Sequence, residues 1–191
     1  PKVVDWDGDG VKDLLVGANW NRILFYQNTG NDRDRKLVCR GPVLIDQKPL
    51  ELPLQPLTRG ETGIFKRDYY PILETVDWDD DGDLDLLAGG YITGLIFVYE
   101  NTGRSADQTP RLVLRGPIEA DGKLLNVGHW CAAPCFADFD GDGDLDLLSG
   151  NYPLHLQPGE ESLHDDDFLQ YSETVGTRRP PQFGSRPVPA G

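Results

Sequence analysis

The feature that most constrains this chain is a nine-residue acidic pattern, D-x-D-x-D-G-x-x-D, which occurs three times in its 191 residues. It reads DWDGDGVKD from Asp5 to Asp13, DWDDDGDLD from Asp77 to Asp85 and DFDGDGDLD from Asp138 to Asp146. The flanks repeat with it. Residues 1–30, PKVVDWDGDGVKDLLVGANWNRILFYQNTG, align with 73–103, LETVDWDDDGDLDLLAGGYITGLIFVYENTG, and PCFADFDGDGDLDLLSGN opens a third unit at Pro134. A further block, KLVCRGPVLIDQ from Lys36, returns as RLVLRGPIEADG from Arg111 and more faintly as PQFGSRPVPAG from Pro181. Self-similarity of this kind points to like units stacked on one another rather than to one irregular core.

Each unit holds short apolar runs, such as Asp13-Leu14-Leu15-Val16 and Ile23-Leu24-Phe25-Tyr26, bounded by Gly or Asn and without a sustained helical period. They read as strands, four to a unit. The runs are continuously apolar, so both faces of each small sheet should be covered, as when one sheet is sandwiched between two like it. The expectation is an all-β chain of β-propeller blades, each of four antiparallel strands. About three blades make an incomplete propeller, because closed rings need ~4–8. The units divide as 1–72 with a long loop, 73–133, and 134–191 with an insertion at 151–167. Pro1 falls at a unit boundary with no signal segment before it, so a piece of a longer propeller or one arc of an assembly is expected.

The chemistry lies in the acidic loops. Carboxylates at loop positions 1, 3 and 5 (Asp5, Asp7 and Asp9; Asp77, Asp79 and Asp81; Asp138, Asp140 and Asp142) converge only if the chain coils tightly, which the glycine at position 6 permits. Position 7 offers a backbone carbonyl, from Val11, Asp83 or Asp144, and a last carboxylate at position 9, Asp13, Asp85 or Asp146, closes an oxygen cage. A cage of this kind suits Ca²⁺, which takes ~6–8 oxygens in flexible geometry, better than Mg²⁺ or a soft metal. Up to three ions are expected, one per loop. Asp-Gly pairs also make ordinary hairpin turns, but a turn does not call for a nine-position pattern three times over. An EF-hand would need a helix after the loop, and Leu14-Leu15-Val16-Gly17 is too short for one.

The loops hold 15 of the 32 acidic residues, and the net charge is −14, so the partners expected include neither nucleic acid nor an anionic surface. Three divalent ions would bring the formal charge to −8 and should be linked to stability. No apolar stretch approaches the ~20 residues of a membrane helix, and no membrane insertion is expected.

These residues resemble the FG-GAP or VCBS repeat family, the integrin-like calcium-binding β-propeller, in which DxDxDGxxD is followed by a D-L-L-x-G strand and an apolar strand ending near N-T-G. The resemblance implies that an ion stabilises each of the three loops at the propeller's edge. It says almost nothing about a ligand.

Loops reaching the axis of a propeller commonly line its ligand face, which makes Lys66, Arg67, Tyr69 and Tyr70 in FKRDYYPI, and His129 and Trp130 in GHWCAAPC, candidates for a binding surface or for packing. Two readings stand for Cys131 and Cys135: a short disulfide, which suits an exported protein, or two buried thiols. Cys39 is expected as a buried structural thiol, and the insertion with His155 and His164 as a solvated loop.

The leading functional expectation is a non-catalytic, calcium-stabilised segment of an exported protein, extracellular, periplasmic or at the cell surface, presenting loops to a glycan or protein ligand. Its further partners would be remaining propeller blades or another chain. The alternatives are the propeller of a polysaccharide-active enzyme such as a lyase, using Arg67, Tyr69 and His129, and a purely structural part of a larger assembly.

Overall fold

The computed structural model describes residues 1–53, 68–127, 130–152 and 169–172, together with Pro181 and Phe183. Within them the chain is all β. The first sheet runs β1 (Lys2–Val4), β2 (Asp13–Ala18), β3 (Arg22–Asn28) and β4 (Leu37–Pro42), in that spatial order and antiparallel throughout. A small hairpin, β5 (Leu44–Ile45) and β6 (Lys48–Pro49), follows it. The second unit repeats the plan with β7 (Ile72–Val76), β8 (Asp85–Gly89), β9 (Ile96–Arg104) and β10 (Pro110–Pro117), then the hairpin β11 (Glu119–Ala120) and β12 (Lys123–Leu124). The third sheet contains β13 (Trp130–Ala137), β14 (Asp146–Tyr152) and β15 (Leu169–Ser172). These are propeller-type blades, and the described ring is not closed.

The continuous apolar runs act as expected where both faces are covered. In the middle blade every residue of β8 is buried. Its Leu86 and Ala88 point into a core shared with Val4, Trp6, Leu15, Ile23 and Phe25 of the first blade, while Leu87 points into a second core with Ala132 and Leu147 of the third. In the first blade only one face is covered: Leu15 is fully buried, whereas its neighbours Leu14 and Val16 are half-buried. The hairpins fold back into the same seams. Val43 and Leu50 enter the first core, and Ile118 and Ala120 the second. Each hairpin turns on two left-handed residues, Asp46-Gln47 (φ 50° and 61°) and Asp121-Gly122 (50° and 70°), as a two-residue loop of the right-handed twist requires.

The glycine ending D-L-L-x-G sets how closely blades approach. A Cβ on Gly17 would lie 1.8 Å from the Pro71 carbonyl oxygen, and one on Gly89 1.9 Å from that of Ala132, so at each seam β2 or β8 abuts the backbone entering the next blade. Neither oxygen belongs to a flexible side chain that could swing aside.

Two cysteine expectations are corrected. Cys131 and Cys135 are both free, the first half-buried and the second exposed, so neither the disulfide nor the pair of buried thiols is present. Both lie in β13, Cys131 at an irregularity with φ 65° and Cys135 in the evenly paired run that follows. Cys39 is exposed rather than buried, because β4 is the outer edge of its sheet and Leu37 through Arg40 are all exposed. The insertion at 151–167 lies, from residue 153 on, outside the described residues.

Replacing Gly89 with Ala should cost at least ~3 kcal/mol in a denaturant melt, because backbone must separate from backbone. Gly116→Ala, where a Cβ meets nothing within 4 Å and only the φ of 117° opposes it, should cost ~1–2 kcal/mol.

Candidate metal centres

The three acidic loops join β1 to β2, β7 to β8 and β13 to β14, all at the same end of their blades. Each brings together the carboxylates of positions 1, 3 and 9: Asp5, Asp7 and Asp13; Asp77, Asp79 and Asp85; Asp138, Asp140 and Asp146. In every trio one oxygen from each side chain lies within 4.8 Å of the others.

The loops are shaped by the same four bonds. The position-1 carboxylate accepts the N–H of the position-6 glycine, at 2.9 Å (Gly10 to Asp5), 3.1 Å (Gly82 to Asp77) and 3.0 Å (Gly143 to Asp138). The position-3 carboxylate accepts the N–H of position 5, as Asp7 does from Asp9 at 3.2 Å. Position 5 caps position 7: Asp9, Asp81 and Asp142 accept the N–H of Val11, Asp83 and Asp144 at 2.8, 2.8 and 2.9 Å. The position-9 carboxylate accepts the N–H of the position-2 aromatic, from Trp6, Trp78 and Phe139 at 3.0, 2.7 and 3.0 Å. Such side-chain to backbone bonds are the ordinary means by which aspartate holds a turn. Glycine at position 6 is required because its φ is 90°, 95° and 93° in the three loops.

Position 9 does more than close the loop. The second oxygen of Asp13 accepts the Asn28 N–H at 2.7 Å, and that of Asp85 accepts the Asn101 N–H at 2.7 Å. Asn28 and Asn101 begin the N-T-G turns, and their own side chains bond back to the carbonyls of Lys12 and Leu84. The aspartate thereby ties the loop to the far end of the third strand. It is buried in all three blades.

In the first blade position 3 is also held from outside the loop. Gln27 donates to Asp7 and accepts from Arg40 at 2.8 Å. In the second blade Glu100 stands in place of Gln27 and is held by Arg115 through two hydrogen bonds, which lower the pKa of its carboxyl. The sequence reading passed over Arg40 and Arg115, although the repeated Arg-Gly-Pro of the outer block carried the signal. Arg104 of the second blade reaches the first loop, donating to the Trp6 carbonyl at 3.1 Å and filling the space beside Gly8.

The crowding of charge is visible in the acids themselves. Burial pushes Asp85 up to about 6, against the two amide bonds that pull it down, with Asp79 and Asp81 adding to the rise. Asp13 is raised by burial first, and Asp79 by burial and then by Asp81. A cation fits this arrangement. Asp5 Oδ1 is buried and accepts no hydrogen bond, which leaves a carboxylate oxygen without a donor in the middle of an acidic trio. The donors are all hard oxygens, the chemistry of Ca²⁺ rather than of a thiophilic metal.

Position 5 is in none of the three trios; Asp9, Asp81 and Asp142 each cap position 7 with one oxygen. Of the candidate ligand face, Tyr70 is exposed and Tyr69 half-buried beside it, while Trp130 lies in β13 with its backbone paired to Tyr152. Lys66, Arg67 and His129 fall outside the described residues.

Residues 77–149, which contain the second and third acidic loops, match the model of the FG-GAP-like repeat. That stretch is similar to the repeat, and the antiparallel four-stranded sheets of the described residues are β-propeller-like. No curated protein and no solved structure matches it. Among the described residues no helix is long and apolar enough to cross a membrane.

Two outcomes follow for the ion-free protein. A carboxyl whose folded pKa is raised contributes stability below its unfolded pKa of 3.8 and loses it as pH rises through the folded value of about 6. Melting temperature measured in chelator should therefore fall between pH 4 and 6.5, the slope vanishing in Asp85→Ala apart from the weaker effects of Asp13 and Asp79. Asp85→Asn should cost ~2 kcal/mol at neutral pH in chelator, since its amide would meet a backbone N–H, whereas Asp81→Asn keeps its capping oxygen and should cost under ~0.5 kcal/mol.

Proposed function

We propose that this chain is a non-catalytic, calcium-stabilised propeller segment of an exported protein, presenting its loops to a glycan or protein ligand. The observation that supports it is the congruence of the three loops: the same three carboxylates drawn together and the same four shaping bonds in each. In this reading one Ca²⁺ sits in each trio, with the carbonyls of Val11, Asp83 and Asp144 available to complete its shell. The ion neutralises charge that the loop geometry has already concentrated. Loops of this class bind usefully only where calcium is plentiful, at ~10⁻⁴–10⁻³ M, which favours a location outside the cytoplasm. Blades of the same repeat, supplied by the rest of a longer chain or by another chain, are the partners that suit the first and third blades.

The test is a calorimetric calcium titration with parallel melts in chelator and in excess calcium. Three ions per chain and a rise in melting temperature are expected, with Asp5→Asn, Asp77→Asn and Asp138→Asn each removing one ion. Heats indistinguishable from dilution, and no thermal shift, would reduce the aspartates to turn formers.

A further inference from the structure

The ends of the blades away from the acidic loops carry a feature that the ion sites do not use. Four aromatic rings stand in a row there, with centroids 5.9 Å apart from Trp20 to Tyr69, 6.3 Å from Tyr69 to Tyr70 and 5.9 Å from Tyr70 to Tyr91. Neighbouring planes are inclined to one another by 46°, 36° and 73°. The row crosses from the first blade, through the segment entering the second, to the β8–β9 loop. Trp20 is 62% exposed and Tyr70 49%.

These rings are held where they are at a conformational cost. Trp20 and Asn21 form the turn between β2 and β3 with φ of 66° and 61°, a pair of positions that Asn-Gly fills without strain and Trp does not. Tyr70 has φ 41°. Left-handed backbone costs ~1–2 kcal/mol for an ordinary residue, and neither exposed ring recovers it by burial. Buried polar staples hold both turns. The Asn21 side chain donates to the Leu52 carbonyl at 2.8 Å and accepts the Leu52 N–H at 3.0 Å. Asp68, fully buried, accepts the N–H of Tyr69 at 2.7 Å and of Ile92 at 2.8 Å and the hydroxyl of Thr93 at 3.1 Å, locking the Tyr69-Tyr70 segment to the Tyr91 loop. Strained turns, exposed rings and rigid supports together describe a preorganised contact surface.

We propose that this row is a carbohydrate platform, on which sugar rings of a neutral glycan stack against Trp20 and Tyr70. The proposal rests on the reading of the chain as a ligand-presenting propeller segment and names its ligand class. The net charge of −14 opposes nucleic acids and polyanionic glycans. Aromatic faces attract cations too, but Asp68, the carboxylate that underlies them, is buried with both oxygens engaged and adds nothing to a cation's hold. The Asn21 side chain and Asp68 are spent on internal bonds, and the exposed rings of Trp20 and Tyr70 offer π faces to the C–H faces of sugars. Rings inclined to one another rather than coplanar suit a chain of separate sugar rings better than one flat heterocycle.

The test is affinity electrophoresis of the whole chain, in calcium, through gels containing a mixed-linkage glucan, a xyloglucan or a galactomannan, with a polylysine gel alongside. Retardation by at least one polysaccharide is expected. Trp20→Ala and Tyr70→Ala should each weaken it about tenfold without changing the melting temperature, and Trp20→Phe should keep part of it. Retardation undiminished in both alanine variants would overturn the platform while leaving a glycan site elsewhere on the segment. Retardation by none of the three would overturn it too, with the calcium titration deciding the wider reading independently. Trp20-dependent retardation in polylysine alone would overturn it in favour of a cationic partner.

Discussion

Everything in a blade depends on one buried carboxylate. Asp13 and Asp85 each use both oxygens on backbone amides, one at the start of the acidic loop and one at the end of the third strand. A single side chain thus pins together the loop, the strand that follows it and the turn two strands away. The loop is coiled by its own hydrogen bonds, and this has a cost: three carboxylates are held within a few ångströms, with one of them desolvated enough to shift toward neutrality. The structure is organised around a concentration of negative charge that it does not itself cancel.

Between blades the governing constraint is distance. Gly17 and Gly89 allow backbone to meet backbone, and the hairpins after β4 and β10 fold their apolar residues into the seam so formed. Both arrangements recur at the same places in the repeat. The seam is therefore a property of the unit, and a blade with one covered face, like the first, differs from the middle one in exposure rather than in design.

Much of this was legible in the residues. Three copies of a motif fixed at nine positions left little freedom for the loops, and unbroken apolar runs between glycines announced sheets covered on both faces. Other features turn on geometry that spacing does not encode. Asp9, Asp81 and Asp142 sit where a ligand or a turn cap would sit, and only coordinates show the capping bond. Arg40 binds Gln27 and Arg115 binds Glu100 from the outer strand, a contact across the sheet rather than along the chain. Cys39 is apolar in character but lies on an edge strand, so its surroundings decide its exposure. Tyr69 and Tyr70 stood out as aromatics near the axis. Trp20 did not, since a turn of left-handed residues is the last place where tryptophan is expected.

The aromatic at position 2 of each acidic loop has two attachments. Its N–H binds the pinning aspartate, while the ring of Trp6 is 3% exposed in the first seam and that of Trp78 7% in the second. Phe139 makes the same amide bond, yet its ring is 47% exposed. One residue is therefore a mechanical linkage between the electrostatics of a loop and the docking of a neighbouring blade. In the first two units the carboxylate that shapes the loop and the ring that fills the seam meet in one residue, so a change at either is carried by the same stretch of backbone.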